Sequence, residues 1–325
     1  MTRGPGTGGP ARSGERHFAG AWAGGIASAA AYGVTPVAAV LAYGDGVSPS
    51  VMVTLRSLCG GALILLVAGL TGRLRGLPLP ATLGLTLLCG PIFGLQILAY
   101  FAAVRSTGAQ VAVVLVHIYP VLVLLLVWLI HRRRIGAPVL ALCAAMTVGI
   151  ALVAGSGASA VTATGAMMSM LSAAGYAVYL VLGEGWVRQV GAVTAAGLVT
   201  VGTTVTIGVG AIATDQDFGL TADGWRSVIL QGFFLVPVGL GGAFYAVRRL
   251  GSVPMSLIGL LEPVVGVLVA AIVLSERLGP AQWLGVAVIL TSCSLLPFAT
   301  RRRRTAEQPA PTPNRNTATP TAVDS

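Results

Sequence analysis

The sequence contains no lysine, and charged residues of every kind make up only 9% of its 325 residues. Soluble domains usually carry about 25% charged residues. Hydrophobic residues make up 55% of the chain, so lipid is the solvent that suits most of it. This shortage of charge excludes an ordinary globular enzyme of the cytosol or the extracellular space.

The chain also lacks the motifs of metal, disulfide and catalytic sites. Its four cysteines lie in four different apolar segments, without a CxxC pair or a Cys/His cluster. There is no HExxH, no GxSxG near a helix start and no GxxxxGK[ST], and every aspartate lies in a loop or the tail. We therefore predict no enzyme activity, no cofactor, no metal and no nucleotide hydrolysis.

The apolar residues fall into ten runs of about the length that crosses a bilayer. Short Gly/Pro/Ser-rich or charged breaks separate them. The predicted spans are residues 18–41, 51–71, 81–104, 109–130, 137–154, 164–183, 192–213, 227–247, 253–274 and 279–299. The ends, residues 1–17 and 300–325, are rich in Gly, Pro, Arg or Thr and are predicted to be disordered.

The basic residues, all 20 of them arginine, predict the orientation of these spans. With the N-terminus in the cytoplasm, 16 arginines fall on the cytoplasmic side, and Arg105, Arg226 and Arg277 fall outside. Positive residues collect on the cytoplasmic side of membrane proteins. We therefore expect both termini in the cytoplasm, the cell (plasma, or inner) membrane as the location, and no nucleic-acid partner for the net charge of +10.

The chain repeats itself with an offset of about 143 residues. YFAAVRSTGA (100–109) aligns with AFYAVRRLGS (243–252), and Pro120 aligns with Pro263. An offset of 144 aligns SAAAYGV (28–34) with SAAGYAV (172–178). The predicted fold is an all-α polytopic membrane protein of two five-helix repeats, 18–154 and 164–299. Because five is odd, the second repeat enters the membrane from the opposite side, which gives the inverted repeats of many secondary transporters.

These features resemble the EamA family of the drug/metabolite transporter superfamily. The second repeat carries the likeness best, in AVRRLGSVPMSLIGLLEPVVGVLVAAIVLSERLGPAQWLGV, and the early arginine of VTLRSL (53–58) adds to it. The first repeat departs from the pattern, since Tyr119 stands opposite Glu262 and Arg133 stands opposite Glu276. If other members of the family use an acidic group at either of these first-repeat positions, this chain cannot do so in the same way.

Glu262 lies near the middle of its predicted span, directly before Pro263. Ionisable residues at that depth are costly and usually functional. Glu262 is therefore a candidate for substrate contact or proton coupling, or else a carboxyl that ties helices together around a proline kink. Pro120 and Pro263 each free a backbone carbonyl, which can line a cavity or only curve the helix.

His117 is the only histidine well inside a predicted span, and it precedes Pro120 by three residues. A polar cluster of His117, Tyr119 and Glu262 near the repeat axis is one hypothesis. In a regular helix, however, positions 117 and 119 are about 200° apart, so both cannot point squarely inward. This geometry favours a His117 that packs on its own.

Several other polar side chains lie within spans, where either a cavity wall or helix packing accounts for them. They are Tyr32, Tyr176, Tyr179, Gln96, Tyr100 and Gln231. Arg56 lies five residues into its span and is predicted to extend to the outer surface. Glu276 and its neighbour Arg277 are predicted to form a contact at a helix end.

The resemblance implies a transporter of metabolites or drugs, with amino-acid and metabolite exporters as the nearest subtype. We predict a secondary active transporter that works by alternating access, with a small-molecule substrate, the proton as a candidate coupling ion, and a monomer or homodimer in the bilayer. The alternative is a flippase for a lipid-linked sugar, or a drug exporter, on the same fold. A phosphate-bearing lipid requires a basic site, for which Arg56 and Arg105 are the candidates.

Overall fold

The computed structural model of the chain describes residues 10–44, 46–107, 112, 115–132, 135–154, 162–274 and 279–306. Within these ranges the chain forms helices and turns and no β-strand. We label the helices in chain order as α1 Pro10–Gly44, α2 Pro49–Leu70, α3 79–107, α4 Tyr119–His131, α5 Ala137–Ala154, α6 Ala163–Val190, α7 Ala192–Ala213, α8 222–250, α9 252–274 and α10 Pro280–Ala306.

The helices extend beyond the predicted spans at both ends of the chain. Helix α1 begins at Pro10, inside the range 1–17 that composition predicts as disordered, and α10 continues to Ala306. Alanine and arginine are good helix formers, and arginines at a helix C-terminus interact favourably with the helix dipole. The remainder of the two predicted disordered ends, 1–9 and 307–325, lies outside the described residues.

Among the described residues, five helical segments are long and apolar enough to cross a membrane. They are Pro49–Leu70, Leu79–Val104, Ala163–Val190, Ala192–Ala213 and Ala222–Leu250. Shorter apolar helices occur at Tyr119–Ile130, Ala137–Leu152, Ser252–Gly266 and Pro280–Leu296. Large apolar side chains such as Leu70 and Ile272 are exposed on the outside of the molecule, as lipid contact requires. The chain is therefore a multi-pass membrane protein.

Two helices contain a widened π turn, at Gly84–Cys89 in α3 and at Leu230–Leu235 in α8. Each π turn ends two residues before a proline, Pro91 or Pro237. Proline has no N–H to donate, and its ring collides with the carbonyl four residues earlier, so the preceding turn must open. The two third helices of the predicted repeats thus share one backbone irregularity.

The helices pack in pairs that respect the predicted repeat. The extensive contacts are α1 with α8, α6 with α3, α2 with α7, α5 with α10, α3 with α7, and α8 with α2, while α1 also contacts α9 and α6 contacts α4. Exchanging every helix with the one five places later leaves this set of pairs unchanged. Such exchange is the property expected of two copies related by an approximate twofold axis.

Small residues allow these helices to approach closely. A side chain at Gly90 in α3 would lie 2.6 Å from the backbone of Gly202 in α7, and Thr203 donates a hydrogen bond of 2.9 Å to the Gly90 carbonyl. Ser28 in α1 likewise donates to the carbonyl of Gly239 in α8, at 2.6 Å. Apolar burial adds little to helix association within lipid, so close contact and interhelical hydrogen bonds determine which helices pair.

Contacts between helix ends divide the bundle into two ends. At one end, the Glu184 carboxylate accepts from the Ser252 backbone N–H at 2.8 Å, and Thr194 donates to the Arg73 carbonyl at 3.3 Å. At the other end, Thr162 donates to the Ser106 carbonyl at 3.2 Å. The first end carries Arg73, Arg75, Arg188, Arg248 and Arg249. The bundle is therefore basic at the end where α6 meets α7 and α8 meets α9.

Candidate functional site

The helical path is interrupted at two equivalent positions, one in each predicted repeat. Helix α4 starts afresh at Tyr119 after a non-helical turn at His117 and Ile118. Helix α9 passes through a short 3-10 stretch, Gly259–Leu261, and resumes as an α-helix at Glu262. In both helices the second residue after the break is a buried proline, Pro120 or Pro263, which removes the N–H that a continuous helix needs. Proline therefore sets both breaks.

The two breaks bring His117 and Glu262 together. The distance from His117 Nε2 to Glu262 Oε2 is 3.8 Å, and both side chains are largely enclosed. The expectation that His117 packs on its own is wrong. It assumed a regular helix from 117 to 119, but the turn at 117–118 rotates His117 relative to Tyr119, so both side chains reach the same interior region.

Tyr119 crosses from α4 to the first half of α9. Its hydroxyl donates a hydrogen bond of 3.0 Å to the carbonyl of Ser256. A side chain at Gly259 would overlap this hydroxyl and would come within 3.4 Å of the second carboxyl oxygen of Glu262. Gly259 thus leaves room for both Tyr119 and Glu262. This role could not be predicted from the sequence, where Gly259 is one glycine within an apolar run.

A row of aromatic rings continues from Tyr119 into the bundle. Tyr119 packs edge to face on Tyr176 at 4.5 Å between ring centroids, and Tyr176 packs on Tyr179 at 5.0 Å. Tyr179 then meets Phe93 of α3 at 5.0 Å and Phe244 of α8 at 6.1 Å. The two phenylalanines were missed by sequence reasoning, although Phe244 belongs to the repeated motif. We call Glu262, His117, Tyr119, Tyr176 and Tyr179 the carboxyl cluster.

Apart from its histidine, the carboxyl cluster has three polar atoms that are buried without a partner of good hydrogen-bond geometry among the described residues. They are Glu262 Oε1 and the hydroxyl oxygens of Tyr176 and Tyr179. Buried polar atoms are nearly always hydrogen-bonded to protein or to ordered water, because an unsatisfied one costs about 1–3 kcal/mol. Orphan atoms in one cluster point to a place where water or a ligand completes the bonding.

The repeated SAAAYGV and SAAGYAV motifs place two serines in matching roles. Ser28 bonds the Gly239 carbonyl as described above, and its repeat mate Ser172 donates to the Gln96 side chain at 3.0 Å. Gln96 itself aligns with Gly239 at the offset of 143. The ring of Tyr32 lies against Gly239, where a side chain would come within 2.9 Å of it. The motif therefore recurs because each copy docks a first helix on a third helix.

Arg56 does not extend to the outer surface, so that prediction is wrong. Its side chain is only 4% exposed, and its guanidinium donates a hydrogen bond of 3.0 Å to Gln231 Oε1. The guanidinium carbon lies 5.7 Å from the ring centre of Phe101. Gln231 turns its amide nitrogen toward Ser227 Oγ at 3.4 Å. Arg56, Gln231 and Ser227 form a second buried group, which we call the guanidinium cluster.

The remaining candidates do not join the carboxyl cluster directly. Tyr100 packs on Phe101 with ring centroids 5.6 Å apart and is half-buried. Gln231 accepts a hydrogen bond from Arg56 in the guanidinium cluster, as described above. Glu276 lies outside the described residues. His117 and Glu262 together offer two possible metal ligands, and no third His, Cys, Asp or Glu joins them within the described parts of the chain.

Comparisons with known proteins agree with this architecture. The model of the EamA-like transporter family matches the chain twice, over residues 20–155 and 163–297. No curated protein matches the sequence significantly. A protein of known crystal structure is similar in fold, with a TM-score of 0.71 and 19% sequence identity over 85% of this chain and 98% of that chain. At that identity the likeness concerns the fold alone.

The two family matches cover most of the chain and confirm the resemblance seen in the sequence. Members of this family are transporters and not enzymes. The chain belongs to the EamA-like transporter family of the drug/metabolite transporter superfamily.

Proposed function

We propose that the protein is a secondary active transporter that exports a small metabolite, an amino acid or a related compound, by alternating access around the carboxyl cluster. One observation carries this proposal: two equivalent helices break before Pro120 and Pro263, and the breaks bring His117 within 3.8 Å of Glu262. Secondary transporters bind substrate at discontinuous helices where their repeats meet.

The proposed topology has ten spans, arranged as two inverted five-helix repeats with both termini in the cytoplasm. Two findings support it. The helix pairs survive exchange of the repeats, and the contacts Glu184–Ser252 and Thr194–Arg73 join loops that this topology puts on the cytoplasmic side. The same side carries 16 of the arginines in the sequence.

Each candidate residue has a role in this proposal. Glu262 and His117 contact the substrate or carry a coupling proton, since hydrocarbon favours the neutral form of a carboxyl. Tyr119, Tyr176 and Tyr179 form the wall beside them. Tyr32, Gln96 and Tyr100 lie near the contacts between first and third helices, which slide during alternating access. Arg56 and Gln231 hold α2 against α8.

Export measurements with Glu262→Gln test this function. Cells that overproduce the protein are assayed for efflux of threonine, homoserine, aromatic amino acids and dyes. Gln keeps the shape of the side chain and removes its charge, so we expect efflux to fall at least about ten-fold, the effect of one charge-assisted hydrogen bond in a buried site. Asp215→Asn makes the same chemical change at an exposed loop position and serves as the matched control.

The coupling ion is tested in the same assay by collapsing the proton gradient. We expect wild-type efflux to stop when the gradient is lost. Efflux by Glu262→Gln that keeps the wild-type rate and pH dependence would remove Glu262 from the coupling step. If wild type moves no compound of the panel in either direction, a lipid-linked cargo becomes the better hypothesis.

A further inference from the structure

We infer that the substrate carries a protonated amine beside an apolar or aromatic group, and that Glu262 and the tyrosine rings of the carboxyl cluster bind it. This inference rests on the proposed transport function, because it assigns a ligand to the same site. It specifies which charge the ligand must carry and which residues bind the charged group.

The first argument concerns the hydrogen bonding of the two oxygens of the Glu262 carboxyl group. Glu262 Oε2 faces His117 Nε2 at 3.8 Å, whereas Oε1 has no hydrogen-bond partner among the described residues. The Glu262 side chain is 18% exposed, while Oε1 itself is buried. An ionised carboxylate only accepts hydrogen bonds. When Glu262 is ionised, the ligand group that satisfies Oε1 must therefore be a donor, and an ammonium is the donor that also balances the charge.

The second argument is the aromatic wall. The rings of Tyr119 and Tyr176 lie 4.5 Å apart, those of Tyr176 and Tyr179 lie 5.0 Å apart, and each pair packs edge to face. The faces of tyrosine rings are negative and attract cations, more strongly where water is excluded. The same faces accept an apolar group next to the cation. A phenyl or alkyl ammonium therefore suits this wall better than a polar anion does.

The third argument is the set of orphan hydroxyls. The hydroxyl of Tyr119 is already committed to the Ser256 carbonyl. The hydroxyls of Tyr176 and Tyr179 lack a partner of good geometry within the described part of the chain. A hydroxyl oxygen can also accept from an N–H, although less strongly than an ionised carboxylate oxygen does. One carboxyl oxygen and two hydroxyls give three acceptors, the same number as the N–H donors of a primary ammonium.

The charges nearby disfavour a ligand that has only an anionic group. Among the described residues, the basic group within 4 Å of the Glu262 carboxyl is His117. The guanidinium of Arg56 is held by Gln231 in the separate guanidinium cluster. A carboxylate or phosphate without an amine would place a second negative charge beside Glu262, which is costly in a medium of low polarity.

Amines and carboxylates of similar size test the inference. Purified full-length protein in detergent is titrated with phenylethylamine, hexylamine and putrescine, and with phenylpropionate and hexanoate. Binding is read from the shift of the unfolding midpoint and from intrinsic fluorescence. The same compounds are then assayed for counterflow in proteoliposomes.

We expect the amines to bind at least about ten-fold more tightly than the carboxylates, since the two series differ by one charged contact. Glu262→Gln should remove this preference, whereas Asp215→Asn should keep it. Tyr176→Phe, which deletes a hydroxyl and keeps the ring, should weaken amine binding several-fold, and Tyr176→Leu should weaken it further. Equal binding of amines and carboxylates, no binding of any amine, or an unchanged preference in Glu262→Gln overturns the inference.

The two proposals fail in different ways. Amines that bind with this preference but show no counterflow would support the ligand class and overturn the transport function. Counterflow of phenylpropionate or hexanoate, without amines, would support transport and overturn the ligand class.

Discussion

The breaks before α4 and within α9 have the same backbone design and different chemistry. Each precedes a buried proline, and each restarts the helix at repeat-equivalent positions, Tyr119 and Glu262. Tyr119 makes a neutral hydrogen bond to the opposite repeat, whereas Glu262 brings the charge. Its neighbour His117 also has a different counterpart, because the offset of 143 places Leu260 there. The two repeats thus share the helix break. They differ in the side chain at the break, which is a tyrosine in the first repeat and a glutamate in the second.

The double substitution Tyr119→Glu with Glu262→Tyr exchanges the two side chains and tests most directly whether the two helix breaks differ in chemistry. The relocated carboxyl would start from α4 instead of α9 and would lose the 3.8 Å approach to His117 that Glu262 makes from the other helix, and a buried charge without a well-placed partner is strongly unfavourable. We expect transport of the exported compound to fall at least about ten-fold, as in Glu262→Gln. Initial rates in proteoliposomes, at matched amounts of monodisperse protein, measure the effect. Wild-type rates in the exchanged protein would show that the two breaks are chemically equivalent.

Gly259→Ala tests how closely the two breaks fit together. The added methyl would overlap the Tyr119 hydroxyl, and we expect a loss of about 3 kcal/mol, at the upper end of the usual cost of overpacking. The apparent unfolding midpoint in detergent should fall accordingly.

Gly241→Ala is the matched control, since nothing lies within 4 Å of the position that its methyl would occupy. Combining Gly259→Ala with Tyr119→Phe removes the overlapping hydroxyl and should restore part of the loss. Equal midpoints for the Gly259 and Gly241 variants would contradict the close approach of Tyr119 to α9.

Arg56→Lys tests whether the guanidinium cluster stabilises the helix bundle, in contrast to the carboxyl cluster, for which we propose a role in transport. Lysine keeps the charge but lacks the planar group that reaches Gln231 and lies over Phe101. We expect about 2 kcal/mol of destabilisation, because a buried amide oxygen loses its donor. Arg226→Lys at an exposed ion pair should stay near the wild-type midpoint. A wild-type midpoint for Arg56→Lys would contradict a structural role for this cluster.

Glu184→Ala sharpens the comparison between the interior and the basic end. It removes the acceptor of the Ser252 N–H at the start of α9, for which we expect about 1 kcal/mol. Arg188→Ala removes only the exposed partner of the Glu184 ion pair and should change the midpoint by less than about 0.5 kcal/mol. The same unfolding measurement separates them. Equal effects would mean that the ion pair, and not the bond to Ser252, holds this end together.

Hydrophobic runs and internal repetition predict most of the fold, because lipid leaves the backbone few choices besides helices. The candidate site was harder to predict. His117 and Tyr119 were assigned to opposite faces because the turn before Pro120 was treated as regular helix. Arg56 was assigned to the surface because its position in the chain suggests a helix end. Its partner Gln231 is 175 residues away, and only the packing of α2 on α8 brings the two together.

The π turns of α3 and α8 occupy corresponding helices but not the same position in them. Measured with the offset of 143 that aligns the ends of these helices, the turn that begins at Gly84 should recur at position 227, yet it begins at Leu230. The prolines account for this difference, because Pro91 and Pro237 are 146 residues apart, as are Gly84 and Leu230, so each widened turn keeps its distance from the proline that follows it. The position of a proline in the chain therefore decides where each helix is widened, and with it the direction that the part of the helix before the turn faces. In α3 and α8, an insertion or deletion that shifted this proline would therefore rotate the face that meets α6 or α1 without breaking the helix.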